Sequence, residues 1–452
     1  MNKFMNWLEK VFNPLASAIA GNKYLIAIRD GFLLSVPLLI AGSFFLLIAN
    51  FPIPAWIEWM DSLFGETWSD YMAIPASASF DVMALLAVGG IAYSLTKQFE
   101  EDAMQSALVA IVVFFIVTPF VTQFLPDGAT DPISVESIPI AWMGSKGMFL
   151  GMITSLISAR AFVYFVKRGW TIKMPESVPL TVVKSFEALI PAFIIISVAF
   201  VIRIGMSFTP FGDLQQFIFE VLQTPLTGLG NTLGAMVVAY LFLHFFWFFG
   251  INGSSVVGAV FNPILKTLAF ENLEAFKSGD VIPNIINQQF QDMFATLGGA
   301  GSTLSLIVVM VIVCKSQRIK KLSRLSIVPG CFGINEPIIF GLPIVLNPLL
   351  LIPFMLVPTV NIIISYFAMD WGWVPLCNGI QIPWTTPPII SGFLVSGWQG
   401  AVLQIVLFFI GMVMYYPFIK IVDNKYIEEE KAIAAQKAEE IDLDDIDYSK
   451  LL

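Results

Sequence analysis

Glu336 is the residue whose type and setting point most directly to chemistry. It lies within Val328-Pro-Gly-Cys-Phe-Gly-Ile-Asn-Glu-Pro-Ile-Ile-Phe-Gly-Leu-Pro-Ile-Val-Leu-Asn-Pro348, an apolar stretch broken by four prolines and three glycines. Proline removes a backbone donor and clashes with the preceding turn, so this stretch cannot be one straight helix. Lipid tolerates broken backbone only where protein or a water-filled cavity covers its polar groups. A carboxylate at that depth accepts protons and hydrogen bonds, and its cost marks it as a functional group. A solvated loop glutamate is the plainer alternative, and the apolar residues on both sides of Glu336 speak against it.

Three further groups offer polar chemistry in apolar surroundings. His244-Phe-Phe-Trp-Phe-Phe-Gly-Ile-Asn-Gly-Ser-Ser255 ends a helical stretch in a turn of small residues. Asn252, Ser254 and Ser255 supply uncharged donors and acceptors there, although Gly250 and Gly253 also suit a simple helix stop. His244 is two turns before Asn252 on roughly the same face, and serves either as a packing residue or as a ligand. Leu297-Gly-Gly-Ala-Gly-Ser-Thr303 lacks the Lys-Ser/Thr of a nucleotide loop, so it serves close packing or backbone exposure toward a ligand. Gln381-Ile-Pro-Trp-Thr-Thr-Pro-Pro388 sets Trp384 beside the hydroxyl of Thr385. An aromatic ring next to hydroxyls and amides suits a sugar, whose ring has an apolar face and a polar rim. Trp384 is equally suited to a membrane-interface belt.

The elements that must position these groups are membrane helices. The chain of 452 residues is 57% hydrophobic and 13% charged, with mean hydropathy +0.80, which is not the composition of an ordinary soluble domain. A net charge of −9 without a basic patch excludes nucleic acid as a partner. Cys314, Cys331 and Cys377 form no metal-type pair, and one histidine leaves no partner for a histidine metal site, so no metal is expected. Residues 1–24 lack a signal-peptide core and read as an interfacial amphipathic segment with Trp7, Leu8, Val11 and Phe12 on its apolar side.

Windows of about 20 apolar residues fall at 29–50, 75–95, 104–124, 147–166, 186–206, 231–250, 254–270, 299–315, 347–367 and 400–420. The expectation is an all-α polytopic membrane protein with about ten crossings. The Pro- and Gly-rich stretches 325–346 and 380–397 are expected as re-entrant hairpins. Segment 51–79 carries Glu58, Asp61, Glu66 and Asp70 without Lys or Arg, whereas Arg160, Lys167, Arg168, Lys173 and Lys184 cluster around the fourth loop. Lys315, Arg318, Lys320, Lys321 and Arg324 follow the eighth, and the positive-inside rule then places both termini in the cytoplasm. Lys173-Met-Pro-Glu-Ser-Val-Pro179 is the clearest break between two five-helix halves. The expected divisions are 1–24, an N-terminal domain over 25–178, a C-terminal domain over 179–422, and an acidic cytoplasmic tail over 423–452. The tail reads as a solvated acidic helix or a disordered segment.

With these residues in view, the chain resembles the membrane-embedded IIC component of the phosphoenolpyruvate-dependent sugar phosphotransferase system, in the lactose/cellobiose/N,N′-diacetylchitobiose branch. The resemblance rests on Ala27-Ile-Arg-Asp-Gly31, Ile172-Lys-Met-Pro-Glu-Ser-Val-Pro179, Ser185-Phe-Glu-Ala-Leu-Ile-Pro191, Trp247-Phe-Phe-Gly-Ile-Asn-Gly253, Gly298-Gly-Ala-Gly301, Gly333-Ile-Asn-Glu-Pro337 and Phe340-Gly-Leu-Pro343. It implies a homodimer in the lipid bilayer of a bacterial cell, joined through the N-terminal domain, with a C-terminal domain that binds a β-linked disaccharide. It also implies elevator-like alternating access and phosphorylation of the sugar on the cytoplasmic side. The phosphoryl group would come from phosphoenolpyruvate through IIA and a phosphocysteine on a separate IIB protein, with no cofactor bound to this chain. Ser185 and Gly299, within the matching stretches, join Asn252, Ser254, His244, Asn335, Trp384 and Thr385 as expected sugar-binding residues.

One position departs from the family pattern: the third residue of its Gly-Ile-His-Gly motif is Asn252 here. Asparagine exchanges hydrogen bonds with a hydroxyl but takes no proton near neutral pH. Glu336 is then the expected general base toward the sugar 6-hydroxyl, with its pKa raised by burial. The alternative is a proton- or sodium-coupled sugar symporter with Glu336 as coupling carboxylate.

Overall fold

The computed structural model describes residues 18, 21–51, 53–65, 67–124, 133–175, 178–342, 344 and 347–444. Most of the expected N-terminal amphipathic segment lies outside them. Among the described residues, eight helices are long and apolar enough to cross a membrane. Leu214–Gly230 and Leu233–Phe248, bent by 74°, make a ninth if they form one span. The protein is a helical, multi-pass membrane protein.

Two of the expected windows differ in an instructive way. The window at 104–124 holds only Ala103–Val117, 15 residues long. Thr118 precedes Pro119 and turns extended, as residues before proline prefer, which ends the helix early. The rest of that window is not plain loop, because Val121–Phe124 pairs antiparallel with Ile133–Glu136. The window at 299–315 begins in irregular backbone, and its helix starts only at Thr303.

The chain divides into two compact units, neither of them a single continuous stretch. The first comprises Met1–Ala239, Ser255–Gln289 and Leu376–Pro383; the second comprises Tyr240–Ser254, Phe290–Pro375 and Trp384–Leu452. A cut after residue 178 is a different partition, since 179–239 belong with the first unit.

In the first unit, helices meet through small residues. A Cβ on Gly31 would lie 2.5 Å from Ile91 Cα, and one on Gly90 would lie 2.5 Å from the Gly31 carbonyl oxygen. Lys23–Ala49 and Met83–Lys97 therefore touch backbone to backbone. Lipid tails are as apolar as leucine, so close packing, rather than hydrophobicity, joins such helices. One half-buried ion pair adds to this: Lys277 Nζ lies 2.6 Å from Asp81 Oδ1 and donates to Ser77 at 3.0 Å. Amide side chains then fix the segment that leads to Trp384. Asn272 Nδ2 donates to the Cys377 carbonyl at 3.0 Å, and Gln289 Oε1 accepts from Gly379 N–H at 2.8 Å.

In the second unit, helix Gln317–Cys331 leads into the Glu336 segment, and the C-terminal helix holds its start. Asp423, fully buried, accepts from the N–H groups of Lys315 and Ser316 at 2.9 Å. Glu430 accepts from Ser316 Oγ at 2.7 Å and from Arg318 N–H at 3.0 Å. Arg318 in turn stacks its guanidinium over Tyr426, 4.5 Å from the ring centroid. Residues 423, 426 and 430 share one helical face, so the start of the acidic tail is a docking surface rather than a merely solvated one. The four orphan N–H groups of a helix start need such acceptors.

Candidate functional site

The site is built around two irregular segments of the second unit. Helix Gln317–Cys331 ends at Phe332, and after the turn Gly333-Ile334-Asn335 a short helix, Glu336–Gly341, begins. The Asn335 carbonyl accepts from Ile338 and Ile339 N–H at 3.0 Å, which anchors that helix start. Asn335 itself is buried, and its Nδ2 donates to the Ala300 carbonyl at 2.7 Å and to Thr303 Oγ1 at 2.9 Å. These two acceptors belong to the Gly-rich loop 297–303.

That loop is packed too closely for side chains at each of its three glycines. A Cβ on Gly299, whose φ is +88°, would lie 2.7 Å from Asn335 Cγ and 2.6 Å from the Gly333 carbonyl oxygen. A Cβ on Gly301, whose φ is +79°, would lie 2.2 Å from Phe354 Cδ2. Between the two readings of this loop, the structure thus supplies the close packing. Gly333, also at positive φ, faces the Trp384 ring: a Cβ there would lie 3.1 Å from Trp384 Cζ3. Trp384 remains exposed and Thr385 beside it half-buried. Gly299, Asn335, Glu336, Trp384 and Thr385 are thereby gathered around one turn.

Glu336 departs from expectation in one respect. It is exposed, at the first position of its short helix, while Asn335 beside it carries the burial. The protein fold therefore does not bury Glu336 as the sequence led one to expect.

His244 is put to a different use from that of a ligand. It is fully buried, its Nδ1 lies 2.7 Å from the Tyr240 carbonyl, and its Nε2 accepts from Gly301 N–H at 2.8 Å. Neither nitrogen is left for a sugar. Eight residues later the same stretch of chain ends in the turn carrying Asn252, which is exposed. Gly253 is required there, because a Cβ would lie 1.8 Å from the Leu243 carbonyl oxygen. Ser254 Oγ accepts from Trp247 Nε1 at 3.3 Å. Ser185 stands apart, exposed on Leu180–Glu187 in the first unit, whereas the other eight expected residues lie in the second.

Sequence reading missed three residues that shape the site. Tyr415 donates to the Gly301 carbonyl at 2.6 Å, and Asn361 Nδ2 donates to Ser302 Oγ at 2.9 Å. Gln404 Nε2 donates to the Met293 carbonyl at 2.7 Å. Each is a polar group within an apolar span, and such a group must find a partner there. Among the described residues, no three His, Cys, Asp or Glu side chains are grouped to hold a metal ion.

Comparison with known proteins agrees with this architecture. The profile of the family "Phosphotransferase system, EIIC" matches residues 29–358. The lichenan permease IIC component of Bacillus subtilis (strain 168) is 42% identical over 433 residues, 95% of this chain and 96% of the relative. The cellobiose-specific EIIC component of the PTS system of Geobacillus stearothermophilus is 42% identical over 437 residues, 96% of this chain and 97% of the relative. The crystal structure of the transporter ChbC, the IIC component from the N,N′-diacetylchitobiose-specific phosphotransferase system, matches with a TM-score of 0.91 and 45% identity, covering 94% of this chain and 99% of that one. The profile matches most of the chain and the relatives and the solved structure nearly all of it, so the chain belongs to the EIIC family of phosphotransferase-system sugar permeases.

Proposed function

We propose that the chain binds a β-linked disaccharide of the cellobiose, diacetylchitobiose or lactose type and moves it by elevator-like alternating access. The 6-hydroxyl of the sugar is presented to a phosphorylated IIB protein on the cytoplasmic side. The observation that carries this reading is the turn at Gly333–Glu336, where Gly333 faces the exposed Trp384 ring and Glu336, three residues on, is itself exposed. The sugar stacks on Trp384, Thr385 and Asn252 orient its hydroxyls, and Glu336 accepts the 6-hydroxyl proton. As the oxygen attacks phosphorus, the phosphorus–sulfur bond of the IIB phosphocysteine breaks and its thiolate leaves. Binding of lichenan- and cellobiose-type sugars by relatives of equal length, as their names state, supports the substrate class. The phosphoryl group originates on phosphoenolpyruvate and reaches IIB through IIA. The working unit is a homodimer in the cytoplasmic membrane, with stretches 325–346 and 380–397 dipping into the bilayer as re-entrant hairpins.

The test uses inverted membrane vesicles given labelled cellobiose with and without phosphorylated IIB. Sugar phosphate that forms only with the partner supports the reading. Free sugar accumulating with a proton or sodium gradient overturns it in favour of a symporter.

A further inference from the structure

The hydrogen-bond accounting around His244 determines which nitrogen carries its proton. The Tyr240 carbonyl can only accept, so Nδ1, 2.7 Å away, is the protonated nitrogen. Gly301 N–H can only donate, so Nε2, 2.8 Å away, carries the lone pair. A protonated ring would set two donors against each other at that distance. The ring is further fixed edge-on against Phe354, with centroids 5.1 Å apart at 78°.

The other partner in this contact is strained backbone. Gly298, Gly299 and Gly301 have φ of +76°, +88° and +79°, and Ser302, which is not glycine, has φ of +54°. Such a run persists only where the surroundings over-determine it. Here both backbone polar groups of Gly301 are held, the N–H by His244 and the carbonyl by Tyr415 Oη at 2.6 Å. Asn361 holds Ser302 Oγ at 2.9 Å. In this shape the loop offers the Ala300 carbonyl and Thr303 Oγ1 to Asn335, the residue immediately before Glu336.

We propose that His244 is a positioning residue: as the neutral Nδ1–H tautomer it holds loop 298–302 in the shape that accepts Asn335 and so aims Glu336, without touching the sugar. The link to Glu336 rests on the reading of that carboxylate as the group that meets the sugar; the holding of the loop stands without it.

Two variants separate the contributions. His244→Gln keeps an acceptor near the place of Nε2, and His244→Phe keeps the ring volume and removes the acceptor. Hydrogen–deuterium exchange of the 297–303 peptide in reconstituted protein reads the loop without any sugar. Exchange is expected to be about tenfold faster or more in His244→Phe, because local opening is no longer opposed at Gly301, and to be slowed again in His244→Gln. Cellobiose phosphorylation by phosphorylated IIB reads the site. For a reacting group displaced by about 1 Å, kcat/KM is expected to fall on the order of 100-fold in His244→Phe, with a fall in kcat and most of the loss recovered by Gln. Tyr415→Phe releases Gly301 from the opposite side, and its effect is expected to be non-additive with that of His244→Phe.

Unchanged exchange in a folded His244→Phe protein overturns the holding of the loop. A loosened loop with unchanged kcat and KM overturns the link to Glu336. Should His244→Phe fail to fold, the same two measurements on His244→Leu, which also lacks the acceptor but is smaller, decide both points in the same way. A wild-type protein that binds no β-disaccharide overturns the sugar reading and the link to Glu336 together, while exchange still decides whether His244 holds the loop.

Discussion

Asn335 and Thr303 are joined side chain to side chain, Asn335 Nδ2 donating to Thr303 Oγ1 at 2.9 Å. Thr303 Oγ1 in turn donates to the Gly298 carbonyl at 2.9 Å, so one hydroxyl ties the Glu336 turn to the Gly-rich loop. Thr303→Val keeps the shape and removes the hydroxyl. It is expected to cost about 1–3 kcal/mol, the penalty for leaving a buried polar partner unmet, and to lower the melting temperature of detergent-purified protein.

The exposure of Glu336 gives the second prediction. Glu336→Gln preserves size and most hydrogen bonding but cannot take a proton. Its IIB-dependent phosphorylation rate is expected to drop roughly 10²- to 10⁴-fold, the usual contribution of a general base, while sugar binding measured by calorimetry changes far less. Phosphorylation at the wild-type rate would remove Glu336 from the proton-accepting role.

Asn252 is exposed on a turn whose backbone geometry depends on Gly253. Asn252→His restores the histidine of the family motif and adds a group that can carry a proton. A change of about tenfold in kcat/KM, the worth of one hydrogen bond to a hydroxyl, is expected in the phosphorylation assay. No change in either affinity or rate would place Asn252 outside the site.

Gly301 combines positive φ with contact against Phe354. Gly301→Ala adds both strain and overpacking, expected to cost about 2–5 kcal/mol together. The expected result is loss of monodisperse protein on size-exclusion chromatography, whereas Gly205→Ala, in open space on its helix, leaves the profile unchanged.

The carboxylates that cap the start of helix Gln317–Cys331 can be tested apart from transport. Asp423→Ala strips the acceptor from two backbone N–H groups at residues 315 and 316. Cys314 beside them is buried, and its labelling by maleimide, located by mass spectrometry, is expected to rise as this end of the helix frays.

Glu336 could be singled out in the sequence because a carboxylate between prolines in an apolar run has few cheap explanations. Its exposure could not be foreseen, since the burial falls on its neighbour Asn335 and depends on a loop over thirty residues away. The Gly-rich loop was visible as a loop, but packing and ligand exposure predict the same glycines; only the Phe354 and Asn335 contacts distinguish them. Tyr415 and Asn361 escaped notice for a related reason. One polar residue in an apolar span implies that a partner exists, yet its spacing says nothing about which distant backbone that partner is. The early end of Ala103–Val117, by contrast, was written in Pro119. The basic cluster after the eighth window was readable as an orientation signal, but the carboxylates that cap the helix there come from about a hundred residues downstream.

The interleaving of the two compact units bears on how the protein is made. The first unit takes its last stretch, Leu376–Pro383, from late in the chain, after most of the second has been synthesised. Asn272 and Gln289 therefore wait for their partners at Cys377 and Gly379 while some ninety further residues emerge and insert. Neither unit can mature fully in the order of translation. Truncations that stop before residue 376 are accordingly expected to leave both units incomplete, rather than to release one intact domain.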